Sequence, residues 1–112
     1  MKRGEIWTVS GGPDYAGKPR PMVVIQADQF SKTNSLTLCG LTSTKTDTPY
    51  ARLAIEPTSL NGLKERSHLM VDKIASVPKS KIGRRIGRLD DNEILRMNRL
   101  LEVFLGLVEK QA

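Results

Sequence analysis

Five short apolar segments, each closed by glycine, proline or polar turn residues, limit what this 112-residue chain can fold into. Glu5-Ile6-Trp7-Thr8-Val9-Ser10 alternates polar and apolar residues, as a half-buried strand does. Met22 to Ala27 is nearly continuous in apolar side chains, the pattern of a central, well-covered strand. Ser35 to Ser43 alternates again with Leu36, Leu38 and Leu41 inward, and its phase changes around Gly40 as at a bulge. Tyr50 to Glu56 and His68 to Val77 supply two more strands, with Pro57 and Gly62 punctuating the connection. Short strands at this density predict a mainly β fold with some α, a strongly curved sheet or small barrel whose strands span about residues 5–77.

The chain ends differently. Asp90 and Glu93 have the spacing of a capping box, in which each residue's side chain accepts from the other's backbone amide. From Ile94, the residues Met97, Leu101, Phe104 and Val108 recur at three- and four-residue steps. This predicts a terminal helix over about 91–110 that buries one face on the sheet. Leu100, Val103, Leu105 and Leu107 widen the stripe and give it a second face for a partner subunit.

Length and composition describe one domain, 1–112, with a modest core. Cys39 is the sole cysteine and His68 the sole histidine, which excludes an intrachain disulfide and argues against a soft-ligand zinc site. No cofactor or metal is expected. No apolar h-region follows the basic N-terminus, and no stretch reaches the roughly 18 apolar residues of a membrane span, so a cytoplasmic protein without a membrane partner is expected. The net charge of +6 is concentrated between Lys64 and Arg88, where eight basic residues face only Glu65 and Asp72. Such a stripe suits either a polyanion, most simply nucleic acid, or plain solubility.

One arginine stands out. In Gly17-Lys18-Pro19-Arg20-Pro21-Met22-Val23-Val24-Ile25, the prolines stiffen the backbone on both sides of Arg20, and Pro21 forces it into an extended conformation. Upstream runs a pliable loop, Ser10-Gly11-Gly12-Pro13-Asp14-Tyr15-Ala16-Gly17. A five-donor guanidinium on a stiff backbone beside such a loop suits a phosphate or carboxylate; an arginine that merely solvates a turn is the plainer alternative.

Together these features resemble the MazF/PemK family of toxin endoribonucleases. Arg3-Gly4-Glu5-Ile6-Trp7-Thr8-Val9 is similar to that family's opening strand, and Lys18 to Ile25 to its Arg-Pro-apolar strand after the flexible loop. Leu41-Thr42-Ser43 matches the hydroxyl pair ending its third strand, and Ser67 to Val77 resembles the next. Ile82 to Asp91 looks like the lead-in to its last helix. The resemblance implies an SH3-like β-barrel of the CcdB/MazF type with a C-terminal helix, a homodimer, and metal-independent cleavage of single-stranded RNA at short sequences. It also implies a cognate antitoxin, and indirect DNA association through an antitoxin–operator complex.

Such cleavage needs a base for the 2′-hydroxyl proton, cations for the phosphorane and an acid for the leaving 5′-oxygen, and it yields a 2′,3′-cyclic phosphate. The resemblance assigns Arg20 to the scissile phosphate and Thr42, with Ser43 beside it, to the same phosphate or the attacking hydroxyl. Asp72 falls where some members carry the proposed base; strand parity sets it with His68 and Met70, opposite Leu69 and Val71. An ion pair with Lys73 or a nearby arginine is the alternative use of Asp72. Members that employ an arginine two residues earlier as acid are not matched here, because this chain has Met70. Two groups remain for that role: Arg20, whose guanidinium is a poor donor, and His68, whose side-chain type ordinarily titrates near neutrality. Tyr15 is the better base-stacking candidate and Trp7 the better core residue. Lys18, Lys45, Lys73, Lys79, Lys81, Arg84 and Arg85 are expected along the RNA backbone. The competing readings are a non-enzymatic gyrase inhibitor like CcdB and a non-catalytic RNA-binding barrel.

Overall fold

The computed structural model describes residues 1–11, 18–44 and 51–109. Among them are six strands, β1 (Glu5–Val9), β2 (Arg20–Val24), β3 (Ser35–Thr42), β4 (Arg52–Ile55), β5 (Ser67–Pro78) and β6 (Ile82–Arg88), followed by helix α1 (Asp91–Phe104). They form one antiparallel sheet in the order β4-β5-β3-β2-β1-β6.

Both faces of the sheet are covered because successive strand residues point opposite ways. The larger core joins Ile6, Val23, Cys39, Leu41, Leu53, Ile55, Leu69 and Val71 to Met97 and Leu101 of α1. On the other face Val9, Val24, Leu36 and Leu38 form a smaller cluster, capped by Trp7, Met22, Val77 and Ile82. Trp7 is thus a packing residue, and its indole N–H donates to Glu5 Oε1 at 3.1 Å. The phase change expected in β3 is not there: alternation runs unbroken, sending Leu36 and Leu38 to one cluster and Cys39 and Leu41 to the other, and the irregularity opposite Gly40 belongs to β5.

β2 begins two residues earlier and ends three earlier than Met22 to Ala27, and two larger differences from the sequence expectation follow. The stretch Ile82–Arg88 lies beyond the predicted strand span yet forms β6, pairing with β1 as an irregular edge strand. Its arginines and glycines hide the strand pattern, and they are what a sheet edge tolerates. The helix stops at Phe104, short of 110. Gly106 takes a φ of +73°, its N–H donates to Val103 O, and Leu107 N–H donates to Glu102 O. These are the bonds of a Schellman ending. At the other end the predicted capping box is present, with Glu93 N–H donating to Asp90 Oδ1 at 2.7 Å and Asp90 N–H to Glu93 Oε1 at 2.9 Å.

The loop between β4 and β5 reaches the opposite edge strand, β6. Arg88 N–H of β6 donates to Leu60 O at 3.1 Å. A Cβ on Gly87 would lie 2.3 Å from the Asn61 carbonyl, so the approach requires glycine. Asn61 is fully buried and ties the loop: its Oδ1 accepts from Thr58 N–H and Leu63 N–H, and its Nδ2 donates to Glu56 O. The sheet is not closed by strand pairing, but this seam gives it a barrel-like form.

Candidate active site

The site opens where the β2–β3 ladder ends. The last paired residues are Met22 and Gly40, with Val23 opposite Cys39 and Val24 opposite Leu38. Continuing that register would set Arg20 opposite Thr42. Pro21 has no N–H to give the ladder, so pairing stops there. Arg20 still pairs with Val9 on its other side, as Pro21 does with Thr8. Arg20 and Thr42 therefore share one sheet face across a gap, on strands held firmly behind them.

That gap leads into a cleft of about 460 Å³, lined by Arg20, Met22, Gly40, Thr42, Met70 and Lys73 among others. Among the described residues lining it, the charged groups are Arg20 and Lys73, with no carboxylate. Thr42 Oγ1 accepts from Thr44 N–H at 3.1 Å, a turn that ends the strand and leaves the hydroxyl hydrogen to donate elsewhere. His68 is the direct partner of Thr42 in the β3–β5 ladder, on the same face.

A second cleft of about 340 Å³ shares Arg20, Pro21 and Leu41 with the first. It is lined further by Ser43, Lys64, Glu65, Ser67 and Arg84. Strand alternation divides the expected hydroxyl pair, Thr42 lining one cleft and Ser43 the other.

The chain has counterparts in sequence and in fold. Residues 2–105 match the family model described as the PemK-like, MazF-like toxin of type II toxin–antitoxin systems. The chain belongs to the PemK/MazF toxin family. It is 45% identical over 107 residues to "Probable endoribonuclease MazF" of Mycolicibacterium smegmatis, covering 96% of this chain and 98% of that one. Endoribonuclease MazF9 of Mycobacterium tuberculosis is 27% identical, with the same coverages. A mycobacterial endoribonuclease solved with its cognate antitoxin superposes with a TM-score of 0.82 at 20% identity, covering 98% of this chain and 99% of that one. A MazE–MazF structure from Deinococcus radiodurans gives 0.74 at 17% identity, covering 95% of each chain.

Within this PemK/MazF chain, Asp72 lies apart from the first cleft. Cys39 and Gly40 are adjacent in β3, yet their partners in β5 are Ile74 and Met70, so Val71, Asp72 and Lys73 form a bulge. Leu69 and Val71 are buried as parity predicts. The Asp72 carboxylate meets Arg52 in two bonds, Nε to Oδ1 at 2.8 Å and Nη2 to Oδ2 at 3.1 Å. These bonds hold its pKa below the usual carboxylate range, against a smaller opposing effect of burial. Arg52, not singled out in the sequence, has a signal visible only in hindsight: it faces Met70, two residues before Asp72, across β4–β5.

The basic stripe is divided by the fold. Lys73 lines the first cleft and Arg84 the second. Arg85 Nε lies 3.2 Å from Glu5 Oε2, and Lys79 Nζ donates to the Ser31 carbonyl. Lys18 and Lys81 are exposed. Tyr15 and Lys45 lie outside the described residues. No three histidine, cysteine or carboxylate side chains converge to hold a metal ion among the described residues, and no helix there is long and apolar enough to cross a membrane.

Proposed function

We propose that this toxin-family chain is an endoribonuclease that cleaves single-stranded RNA at short sequences, without a metal, and thereby halts translation. The observation that supports it most is the placement of Arg20 and Thr42 across the open end of the β2–β3 ladder. A phosphodiester seated there meets the guanidinium from one strand and a hydroxyl donor from the next. Arg20 holds the non-bridging oxygens and stabilises the charge that grows on them as the phosphorane forms. Thr42 orients the same group. The nucleophile belongs to the substrate, so the product is a 2′,3′-cyclic phosphate and the enzyme needs no nucleophile of its own.

The Arg52 pairing lowers the proton affinity of Asp72, which suits a fixed anion bracing the bulge better than the base expected from sequence. His68, beside Thr42, is better placed to take the 2′-hydroxyl proton. Ser43, Lys64 and Arg84 carry the strand onward through the second cleft, while Lys18 and Lys81 add long-range attraction. In the cell the protein works in the cytoplasm as a homodimer, is silenced by a cognate antitoxin, and meets operator DNA only through that antitoxin.

The test is incubation of the purified protein with a long single-stranded RNA in EDTA, followed by end mapping. Discrete cuts ending in cyclic phosphate, lost in Arg20→Ala, are expected. Intact RNA would overturn the reading, and blocked gyrase supercoiling in the same preparation would replace it with a CcdB-like function.

A further inference from the structure

Met70 leaves the leaving group without the arginine that some family members offer it, and the β5 bulge supplies a different cation. Of the three bulged residues, Val71 enters the core, Asp72 turns to Arg52, and Lys73 is exposed and lines the first cleft with Arg20 and Thr42. Bulges re-aim side chains in this way next to functional sites. Met70 lines the same cleft but has no proton to give; its methyl lies over Gly40, where an added Cβ would sit 2.8 Å from Met70 Cε. A guanidinium is in general a poor proton donor. An ammonium is a point donor with three protons, on a flexible stem.

We infer that Lys73 protonates the 5′-oxygen in this chain, a division of labour in which Arg20 carries charge and Lys73 carries the proton. The assignment rests on the ribonuclease reading above. The 2′-oxygen forms a bond to phosphorus and its proton passes to His68. The bond from phosphorus to the 5′-oxygen breaks, its electron pair stays on that oxygen, and a proton from Lys73 Nζ completes the hydroxyl. The products are a 2′,3′-cyclic phosphate and a 5′-hydroxyl. Solvent returns a proton to Lys73 and takes one from His68, so the enzyme is unchanged.

The deciding experiment compares two RNA substrates in single-turnover cleavage, one natural and one with sulfur in place of the scissile 5′-oxygen. A thiolate leaves without protonation, so loss of the acid is masked on the sulfur substrate. Lys73→Ala is expected to slow the oxygen substrate by about 100-fold or more and the sulfur substrate by no more than about threefold. Lys73→Arg keeps the charge and the RNA affinity but shares the loss on oxygen. Arg20→Ala slows both substrates, because the phosphorane charge is common to them. Equal losses of Lys73→Ala on the two substrates, or no loss on oxygen, overturn the assignment while leaving the ribonuclease reading intact. Failure of the parent protein to cleave either substrate overturns both.

Discussion

Thr42 and His68 stand directly opposite each other in the β3–β5 ladder, Thr42 at the gap that Arg20 borders and His68 one strand further on. Directly opposed residues hold their Cβ atoms roughly 5 Å apart, which sets the imidazole beside Thr42, although His68 itself lines neither cleft. A base works in its unprotonated form, so a reaction that depends on an imidazole base has an acid limb along which activity falls with pH. His68→Gln is expected to remove that acid limb from the pH–rate profile and to lower the plateau roughly 100-fold. An acid limb that survives the substitution assigns the proton to another group.

The Arg52–Asp72 pair links the bulge to the edge strand β4, with side chains 11% and 24% exposed. Because Arg52 depresses the folded-state pKa of Asp72, the pair stabilises the fold above the unfolded carboxylate value, about 3.9, and that contribution is lost as pH falls below it. Asp72→Asn is expected to cost about 2 kcal/mol at neutral pH, the scale of hydrogen bonds to charged groups. Urea unfolding of parent and variant should converge as the pH drops below about 4. A gap that persists unchanged in acid would show that the carboxylate charge contributes nothing to the bulge.

Cys39 gives a prediction of opposite sign. Burial, reinforced by the negative charge of Asp72, pushes its thiol up to about 12. The folded chain keeps the proton while the unfolded chain loses it near 8.5, so stability should decline as pH rises above that value. In the folded protein the thiol should resist a disulfide reagent at pH 8 and react fully only in denaturant. Rapid labelling of the folded chain would contradict the buried position between Val23 and Ile74.

Much of this was legible in the sequence because the relevant signals are local. Alternation located β1 and β3, and Asp90 and Glu93 marked the helix start, whereas the change of face read at Gly40 does not occur in β3. Strand parity alone set Leu69 and Val71 inward and Asp72 outward. The missing elements depend on contacts between distant segments. β6 is a strand because β1 offers it an edge, which no property of Ile-Gly-Arg-Arg-Ile-Gly-Arg announces. Asp72 finds Arg52 only after β4 and β5 align, and Lys73 reaches the cleft only through a bulge of three residues where Gly40 suggested a simpler kink. The helix ending at Gly106 was readable in principle: glycine just past the last apolar turn is a stop signal, outweighed in a periodicity count by Leu107 and Val108.

Asn61 had no sequence signal, yet it shapes the loop that packs against edge strand β6. Truncating it to alanine leaves Thr58 N–H, Leu63 N–H and Glu56 C=O without their partner in a buried loop. A cost of about 3 kcal/mol or more is expected, lowering the melting temperature by roughly 10 °C or more. Gly87→Ala strikes the same seam from the β6 side, where its Cβ meets backbone atoms that cannot rotate away. The double variant should therefore lose less than the sum of the two single losses, since the second change acts on a seam already opened. Gly62, Leu63 and Lys64 of this loop also line the second cleft. At temperatures where Asn61→Ala remains folded, KM for long RNA should rise before that for the shortest cleavable RNA does. Thermal melts and paired KM measurements check both effects; an Asn61→Ala protein within about 1 kcal/mol of the parent would show that β6 is held without this residue.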